Sequence, residues 1–465
     1  MKVALISAPN LYTSGRTSPS LSLGILSSCL RKHNIECIAI DANNLTSFST
    51  AEVKIEDSHL EKRVLNECLE LLINYQPDLI GISCWGISVP FAMILSRAVK
   101  KSLPLVPIII GGIRDKFTAT MVLRHEKQVT AVAYTEGEMI LLEMVHRLEN
   151  NQNLRGIKGI IHYHNNDIYC EPSSEALASD SWSKPNYSSF ILPLDSRSFL
   201  VEGSRSCSYN CVYCSINHEP LRRKSPKAIA EEMTELKQNY GCSIVFLADN
   251  YVPLKGSWIE KLCDALLSKQ IPIPWTCSTR ADNISFAVVK KMVQAGCRGI
   301  FLGVESTSYE TLKYLNKTQS VSQYLSNLMK NIYLFLDLGI KLRVSTIIGF
   351  PFEGIGEIQR TTDFVLNLIE MGVDAYTGPV IVYPGSELWR KYENKEIELR
   401  KIINPEIRRN IAGLFSTEFT YIPYFVPNNF LPQHKFIDQE ELEWVIGESL
   451  KTIRDYKRAK KLFDN

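Results

Sequence analysis

Through the first 150 residues, short and continuously apolar runs alternate with stretches of helical periodicity, and this alternation limits the fold more than any other feature. The apolar runs fall at 3–7, 36–41, 79–83, 106–111 and 130–135, and the helical patterns at 21–32, 60–74, 89–101 and 138–148. A strand that is apolar on both faces must be covered on both, which predicts a parallel, doubly wound α/β sheet. Ligands of such sheets bind beyond the carboxyl ends of the strands. Those ends carry Pro9, Ser83 with Trp85, Gly111 with Gly112, and Glu136, Gly137 and Glu138. Glycines there let backbone approach a bulky ligand, while Ser and Glu offer polar anchors. Taken singly, each glycine reads more readily as an ordinary βα turn.

A second feature carries chemistry. Cys207, Cys211 and Cys214, spaced C-x3-C-x2-C, follow the apolar run at 199–201 on one short loop. A tight loop with that spacing can aim three thiolates at a soft metal centre. Iron–sulfur clusters usually take four thiolates, so three leave one iron open to a non-protein ligand. The rival is zinc, because His218 would complete a closed Cys3His site. Unliganded buried thiols are the bland alternative.

Composition narrows the setting. Lys+Arg 52 against Asp+Glu 50 gives a net charge of +2, so neither nucleic acid nor an anionic membrane is expected as the main partner. The other nine of the twelve cysteines are scattered, unlike a secreted disulfide framework. The opening residues read as a first strand and not as a signal peptide, since Pro9 and Asn10 end the apolar run early. There is no run of 18 apolar residues, hence no expected membrane span. Together these point to the reducing cytoplasm.

Residues 151–195 read as a hairpin around His164, Asn165 and Asn166, followed by a linker bearing Ser and Pro. Beyond it the alternation resumes, with Ser225 and Pro226 opening a helix. Strands are expected at 198–202, 244–247, 275–279, 299–304, 342–349 and 375–383, six βα units against the eight of a closed barrel. Their tips carry the three cysteines, then Asp249 and Asn250, Arg280 and Asp282, Glu305, Ser345 within the fifth strand before Gly349 and Phe350, and Tyr383 to Ser386. Each tip alone could be a turn, a cap or a structural ion pair. Six ordered tips on one rim favour the open cluster, since a zinc knuckle needs no such rim.

The C-x3-C-x-Tyr-Cys spacing, Phe246-Leu247-x-Asp249-Asn250, Arg280-x-Asp282, Gly303-Val304-Glu305-Ser306, Gly349-Phe350-Pro351 and Tyr383-Pro384-Gly385-Ser386 resemble the radical S-adenosylmethionine (SAM) superfamily. In the first domain, Pro19-x-Leu21-x-Leu23-Gly24, the Gly111-Gly112 pair and Glu136-Gly137-Glu138 resemble the cobalamin-binding-type domain of its class B methylases. Ala248-Asp249-Asn250, in place of paired aspartates, and Ser386, where Thr is common, depart mildly from the pattern. The only Asp-x-His, at Asp57-Ser58-His59, has Lys62 where the cobalamin motif wants glycine, so no histidine from that motif would sit under cobalt.

The resemblance implies an α/β protein with a Rossmann-like cobalamin-binding-type domain (1–150), a partial (β/α)6 TIM-type barrel (196–390) and a small, mostly helical extension (391–465). It implies that Cys207, Cys211 and Cys214 hold a [4Fe-4S] cluster. Tyr213, Asp249, Asn250, Arg280, Glu305, Ser345 and Phe350 would contact SAM. Pro9, Ser83, Trp85, Gly111, Gly112, Glu136, Gly137 and Glu138 would face cobalamin. The implied reaction is reductive cleavage of SAM to a 5′-deoxyadenosyl radical, followed by methylation of an unactivated carbon. Without cobalamin, cyclisation, dehydration or epimerisation is implied; a non-catalytic cobalamin or zinc sensor is the reading from another class. A flavodoxin or ferredoxin would supply electrons, and small-molecule, lipid and peptide substrates stay open. The aromatic tail (Phe415, Phe419, Tyr421, Tyr424, Phe425 and Phe430) reads as a packing layer over the open barrel or as a substrate lid. It lacks cysteine, which argues against an auxiliary cluster.

Overall fold

The computed structural model describes residues 1–9, 18–45, 58–191, 197–216, 219–269, 273–407, 430–433 and 437–460. His218 and the tail aromatics from Phe415 to Phe425 lie outside the described residues, as do most of the loop after the first strand and the side chains of Ser58, His59 and Phe430. The chain divides into two compact units, with the break between Phe199 and Leu200.

The first unit alternates β1 (Lys2–Ser7), α1 (Leu21–Lys32), β2 (Glu36–Asp41), α2 (Ser58–Tyr75), β3 (Leu79–Ser83), α3 (Val89–Ser102), β4 (Ile108–Gly111), α4 (Lys116–His125), β5 (Ala131–Ala133) and α5 (Gly137–Glu149). Strands β1 to β5 are parallel, in the order β2-β1-β3-β4-β5. The period of two along each strand explains the double covering. Ala4 and Ile6 of β1 join a core with α2, α3 and α4, whereas Val3 and Leu5 join a core with α1 and α5 on the other face.

Helix α4 was not expected, because two threonines and ten residues leave little helical pattern. Its start is nonetheless marked by Asp115, whose carboxylate accepts the Thr118 N–H at 2.6 Å. The hairpin is present as β6 (Ile160–His164) and β7 (Asp167–Cys170), with Asn165 and Asn166 at φ 50° and 69° as in a type I′ turn. It extends the sheet antiparallel beyond β5, so the sheet has seven strands and is mixed.

The order 2-1-3-4-5 is flavodoxin-like, with its switch point between β1 and β3. At that edge Gly112 has φ 89°, and a Cβ there would sit 2.3 Å from the Cys84 carbonyl oxygen. Gly112→Ala therefore combines left-handed strain with a backbone collision. It should destabilise the unit by at least about 2 kcal/mol in equilibrium denaturation. A shift under half that size would mean that the loop yields freely.

The second unit carries β8 (Ser198–Val201), which begins at the end of the first, then a ribbon of β9 (Ser204–Arg205) and β10 (Arg222–Arg223), and α6 (Pro226–Tyr240). There follow β11 (Ile244–Leu247), α7 (Ser257–Leu267), β12 (Trp275–Arg280), α8 (Phe286–Gln294), β13 (Cys297–Glu305), α9 (Tyr309–Tyr314), α10 (Val321–Asp337), β14 (Lys341–Ile348), α11 (Ile355–Glu370), β15 (Asp374–Pro379) and α12 (Glu387–Glu393). The large strands lie side by side in sequence order, β8-β11-β12-β13-β14-β15, as a partial barrel of six does. The last element, after a small ribbon of β16 (Leu399–Lys401) and β17 (Phe430–Pro432), is α13 (Gln439–Ala459). Leu442, Val445, Ile446, Leu450 and Ile453 are buried on one face of this helix. Ile446 lies against Gly349, and Lys457 pairs with Asp374 of β15 at 3.0 Å. This helix is a packing layer on the barrel.

Candidate functional site: a three-cysteine loop on the barrel rim

Ribbon β9–β10 closes the base of the cysteine loop, pairing Ser204 with Arg223 and Arg205 with Arg222. Asp249, from the tip of β11, fixes the loop's entry, its Oδ1 accepting the N–H groups of Gly203 and Ser204 at 2.7 and 2.9 Å. Further along, the Val212 N–H donates to the Leu315 carbonyl at 3.1 Å, and the Val212 carbonyl accepts from the Leu388 N–H at 3.0 Å. Ser206 takes φ 71°, and its hydroxyl donates to the Glu219 carbonyl at 2.5 Å. The loop is thus held at both ends and in its middle, without help from the thiols.

Cys211 is buried, and its Sγ accepts from Arg280 Nη1 at 3.3 Å. Arg280 is itself fixed by Asp282, through Nε–Oδ1 at 2.9 Å and Nη2–Oδ2 at 3.1 Å, and lies 3.7 Å from the Tyr209 ring centroid. Burial first, then the neighbouring Cys211 and Cys207 sulfurs, pushes the Cys214 thiol up to about 11. The three cysteines thus share one neighbourhood. Three thiols on one anchored loop, the middle one facing the Arg280 guanidinium, are the donor chemistry of a cluster that leaves one iron open.

Glu305 ends β13 in an uncommon conformation. Its φ is 69°, and the Ser306 N–H donates to the Val304 carbonyl at 3.0 Å, which closes a γ-turn around it. Left-handed backbone at a non-glycine residue stores strain and clusters at functional sites. The turn folds the carboxylate back onto Lys317, whose ammonium donates at 2.8 Å; both side chains are buried. A Cβ on Gly303 would lie 2.6 Å from Glu305 Oε1, which explains glycine there.

The remaining expected SAM residues differ in placement. Tyr213 lies with its ring centroid 6.5 Å from that of Phe350, and burial with the nearby Glu305 carboxylate raises its phenol. Phe350 is fully buried between Tyr213 and Phe352, so here it packs behind the tyrosine. Asn250 is exposed and donates to the Ser206 carbonyl at 3.5 Å. Ser345 is half-buried within β14, beside Tyr376 of β15.

Two residues escaped the sequence reading. Lys317 has no local signal. Glu353 could have been found from its place four residues after Gly349; its Oε2 accepts the Gly349 and Phe350 N–H groups at 2.7 and 3.1 Å, and its Oε1 accepts from the Thr311 hydroxyl at 3.1 Å.

Burial pushes Asp249 up to about 6 from 3.8 and Glu353 up to about 7 from 4.5. A carboxyl whose folded value is raised stabilises the fold below its unfolded value and loses that contribution as pH rises through the folded one. Each should cost on the order of 3 kcal/mol once fully ionised. Between about pH 4 and 7, from the ordinary carboxyl values to the raised ones, the wild type should therefore lose stability that Asp249→Asn and Glu353→Gln retain. Parallel pH profiles of the thermal midpoint would contradict this.

In the first unit the tips of β3 and β4 come together, with the Cys84 N–H donating to the Gly111 carbonyl at 2.9 Å and the Ser83 and Ser22 hydroxyls 3.0 Å apart. Trp85 beside them is 67% exposed. A glycine-lined edge and an open indole fit a flat macrocycle. Pro9, by contrast, is buried, and Glu136 Oε2 accepts the Leu177 N–H at 3.1 Å. Gly137 and Glu138 form the first turn of α5, with Glu138 buried.

The comparisons with known proteins agree with this geometry. The B12 binding domain family matches residues 9–145, and the radical SAM superfamily matches residues 201–365. An uncharacterized methyltransferase of Pyrococcus horikoshii is 27% identical over 405 residues, covering 84% of this chain and 82% of its own. The anaerobic magnesium-protoporphyrin IX monomethyl ester cyclase of a Synechocystis species is 26% identical over 294 residues, 61% of this chain and 58% of that one. The fold is shared with OxsB, a cobalamin-dependent SAM radical enzyme solved with aqua-cobalamin and SAM, at a TM-score of 0.73 and 17% identity, over 99% of this chain and 67% of that one. It is shared too with the radical SAM methyltransferase TsrM of Kitasatospora setae, solved with tryptophan and a SAM analogue, at 0.70 and 15%, over 97% and 88%. The chain thus carries a radical SAM domain behind an N-terminal B12-binding domain.

Proposed function

We propose that this protein is a cobalamin-dependent radical SAM methyltransferase that methylates an unactivated carbon of a biosynthetic substrate. One observation carries the reading: a three-cysteine loop is fixed on the rim of a six-stranded barrel in a chain that also bears a B12-binding domain. When bound, the cluster supplies reductive cleavage of SAM and cobalamin supplies methyl transfer. Cys207, Cys211 and Cys214 would hold the cluster, and Arg280 orients the Cys211 sulfur. Glu305 and Tyr213 would bind SAM, Asp249 holds the loop, and the barrel mouth limits water. Trp85, Gly111 and Gly112 would lie against cobalamin.

A low-potential one-electron donor of the flavodoxin or ferredoxin class, in a reducing compartment, would serve the cluster. No helix among the described residues is long and apolar enough to cross a membrane. Anaerobic reconstitution with iron, sulfide and hydroxocobalamin tests the reading. A retained corrinoid spectrum and SAM-dependent formation of 5′-deoxyadenosine are expected. A protein that cleaves SAM but retains no corrinoid would be the cyclase, dehydratase or epimerase, and not the methylase.

A further inference from the structure

Arg280 ends β12 with a guanidinium whose three nitrogens all have partners. Nε and Nη2 donate to the two carboxylate oxygens of Asp282, at 2.9 and 3.1 Å. Nη1 donates to Cys211 Sγ at 3.3 Å. The guanidinium carbon lies 3.7 Å from the Tyr209 ring centroid, so that ring covers one of its faces. The arginine side chain is only 6% exposed.

Neighbouring groups hold these parts in place. Asn283, left-handed at φ 56°, turns the chain just after Asp282, and its Nδ2 donates to the Tyr209 hydroxyl at 3.3 Å. The Ala281 carbonyl accepts from Asn331 Nδ2 at 3.0 Å. Tyr209 meets Tyr251 edge to face, with ring centroids 4.9 Å apart. A purely structural ion pair would need only Asp282, and the cysteine loop has anchors of its own. The N–H turned toward Cys211 serves neither of those tasks, and the sulfur it faces is one of the three thiols.

A donor to a ligating sulfur favours the electron-rich form of an iron–sulfur centre, and such hydrogen bonds help to set its potential. Burial strengthens the effect, because little water screens the charge. Arginine also keeps its charge at any working pH. We propose that Arg280 sets the reduction potential of the cluster through Cys211 Sγ, with Asp282 and Tyr209 as its positioning residues. Reduction passes one electron from the external donor to the cluster, and the guanidinium favours the product without forming or breaking a bond. This role rests on the radical SAM reading above, and it gives Arg280 to the cluster and not to SAM.

The test uses the full chain loaded with its cluster, titrated anaerobically with titanium(III) citrate and followed by electron paramagnetic resonance. Arg280→Gln/Asp282→Asn leaves the net charge unchanged and strands no carboxylate. Its constant for one-electron reduction should fall at least about tenfold, a shift of about 59 mV, with iron and sulfide content as in wild type. Arg280→Lys keeps the charge and should recover most of that shift. An unchanged potential in the double variant would overturn the proposal. So would loss of the cluster from a folded double variant, since Arg280 would then serve assembly. A fall as large in Arg280→Lys would take the effect away from the charge and overturn it too. SAM binding about tenfold weaker by calorimetry, at an unchanged potential, would return Arg280 to SAM. Failure of the radical SAM reading looks different, because the wild type itself would then take up no iron–sulfur cluster.

Discussion

Replacing Cys211 by alanine is expected to abolish 5′-deoxyadenosine formation while leaving the fold in place. Cys211 is the middle thiol of the three, and its Sγ is the acceptor of a guanidinium fixed by a bidentate ion pair. Removing it leaves two thiolates for a cluster that needs at least three to stay bound, so retained iron and sulfide should fall with activity. The loop itself should persist, because its anchors are Asp249 Oδ1, the Leu315 carbonyl and the Leu388 N–H, none of which involves sulfur. The thermal midpoint of the metal-free variant should therefore change by no more than a substitution of about 1 kcal/mol allows. Cys170→Ala, at an exposed cysteine on β7, should leave iron content and 5′-deoxyadenosine at wild-type levels. Unchanged product formation in Cys211→Ala would refute the cluster assignment outright.

The sequence disclosed where the chemistry sits more fully than how each side chain is used. Strands at 36–41 and 79–83 were readable to the residue because β-branched and other apolar residues run unbroken between turn signals. The rim was readable because strand tips are fixed by strand ends. Direction was not: Asp249 follows β11 as expected, yet its carboxylate turns back to hold Gly203 and Ser204. Phe350 follows β14 as expected, yet its ring is enclosed by two aromatic neighbours. Spacing places a Cα on the rim, whereas packing decides where the side chain ends. Lys317 marks the limit most clearly, since its partner Glu305 lies twelve residues away across a γ-turn and a short helix. No periodicity reports such a pair. The hairpin was legible from its Asn-Asn turn, but its pairing with β5 depends on which sheet edge is free.

The Glu305–Lys317 pair makes the second large prediction, because it separates stability from binding. Both side chains are buried, at 9% and 3% exposure. Glu305→Ala would strand an ammonium in the interior, at a cost of about 3–5 kcal/mol. In a unit of this size the thermal midpoint should fall by roughly 10 °C. Glu305→Gln/Lys317→Met removes both charges at similar volume and should recover most of that loss. If Glu305 also contacts SAM, the double variant should still bind SAM at least about tenfold more weakly than wild type, the equivalent of one hydrogen bond to a charged group. Calorimetry of the two variants reads both quantities. Wild-type SAM affinity in the double variant would reduce Glu305 to a structural partner of Lys317, and its strained turn would then need another explanation. An unchanged midpoint in Glu305→Ala would mean that water reaches Lys317 and the pair is not closed to solvent.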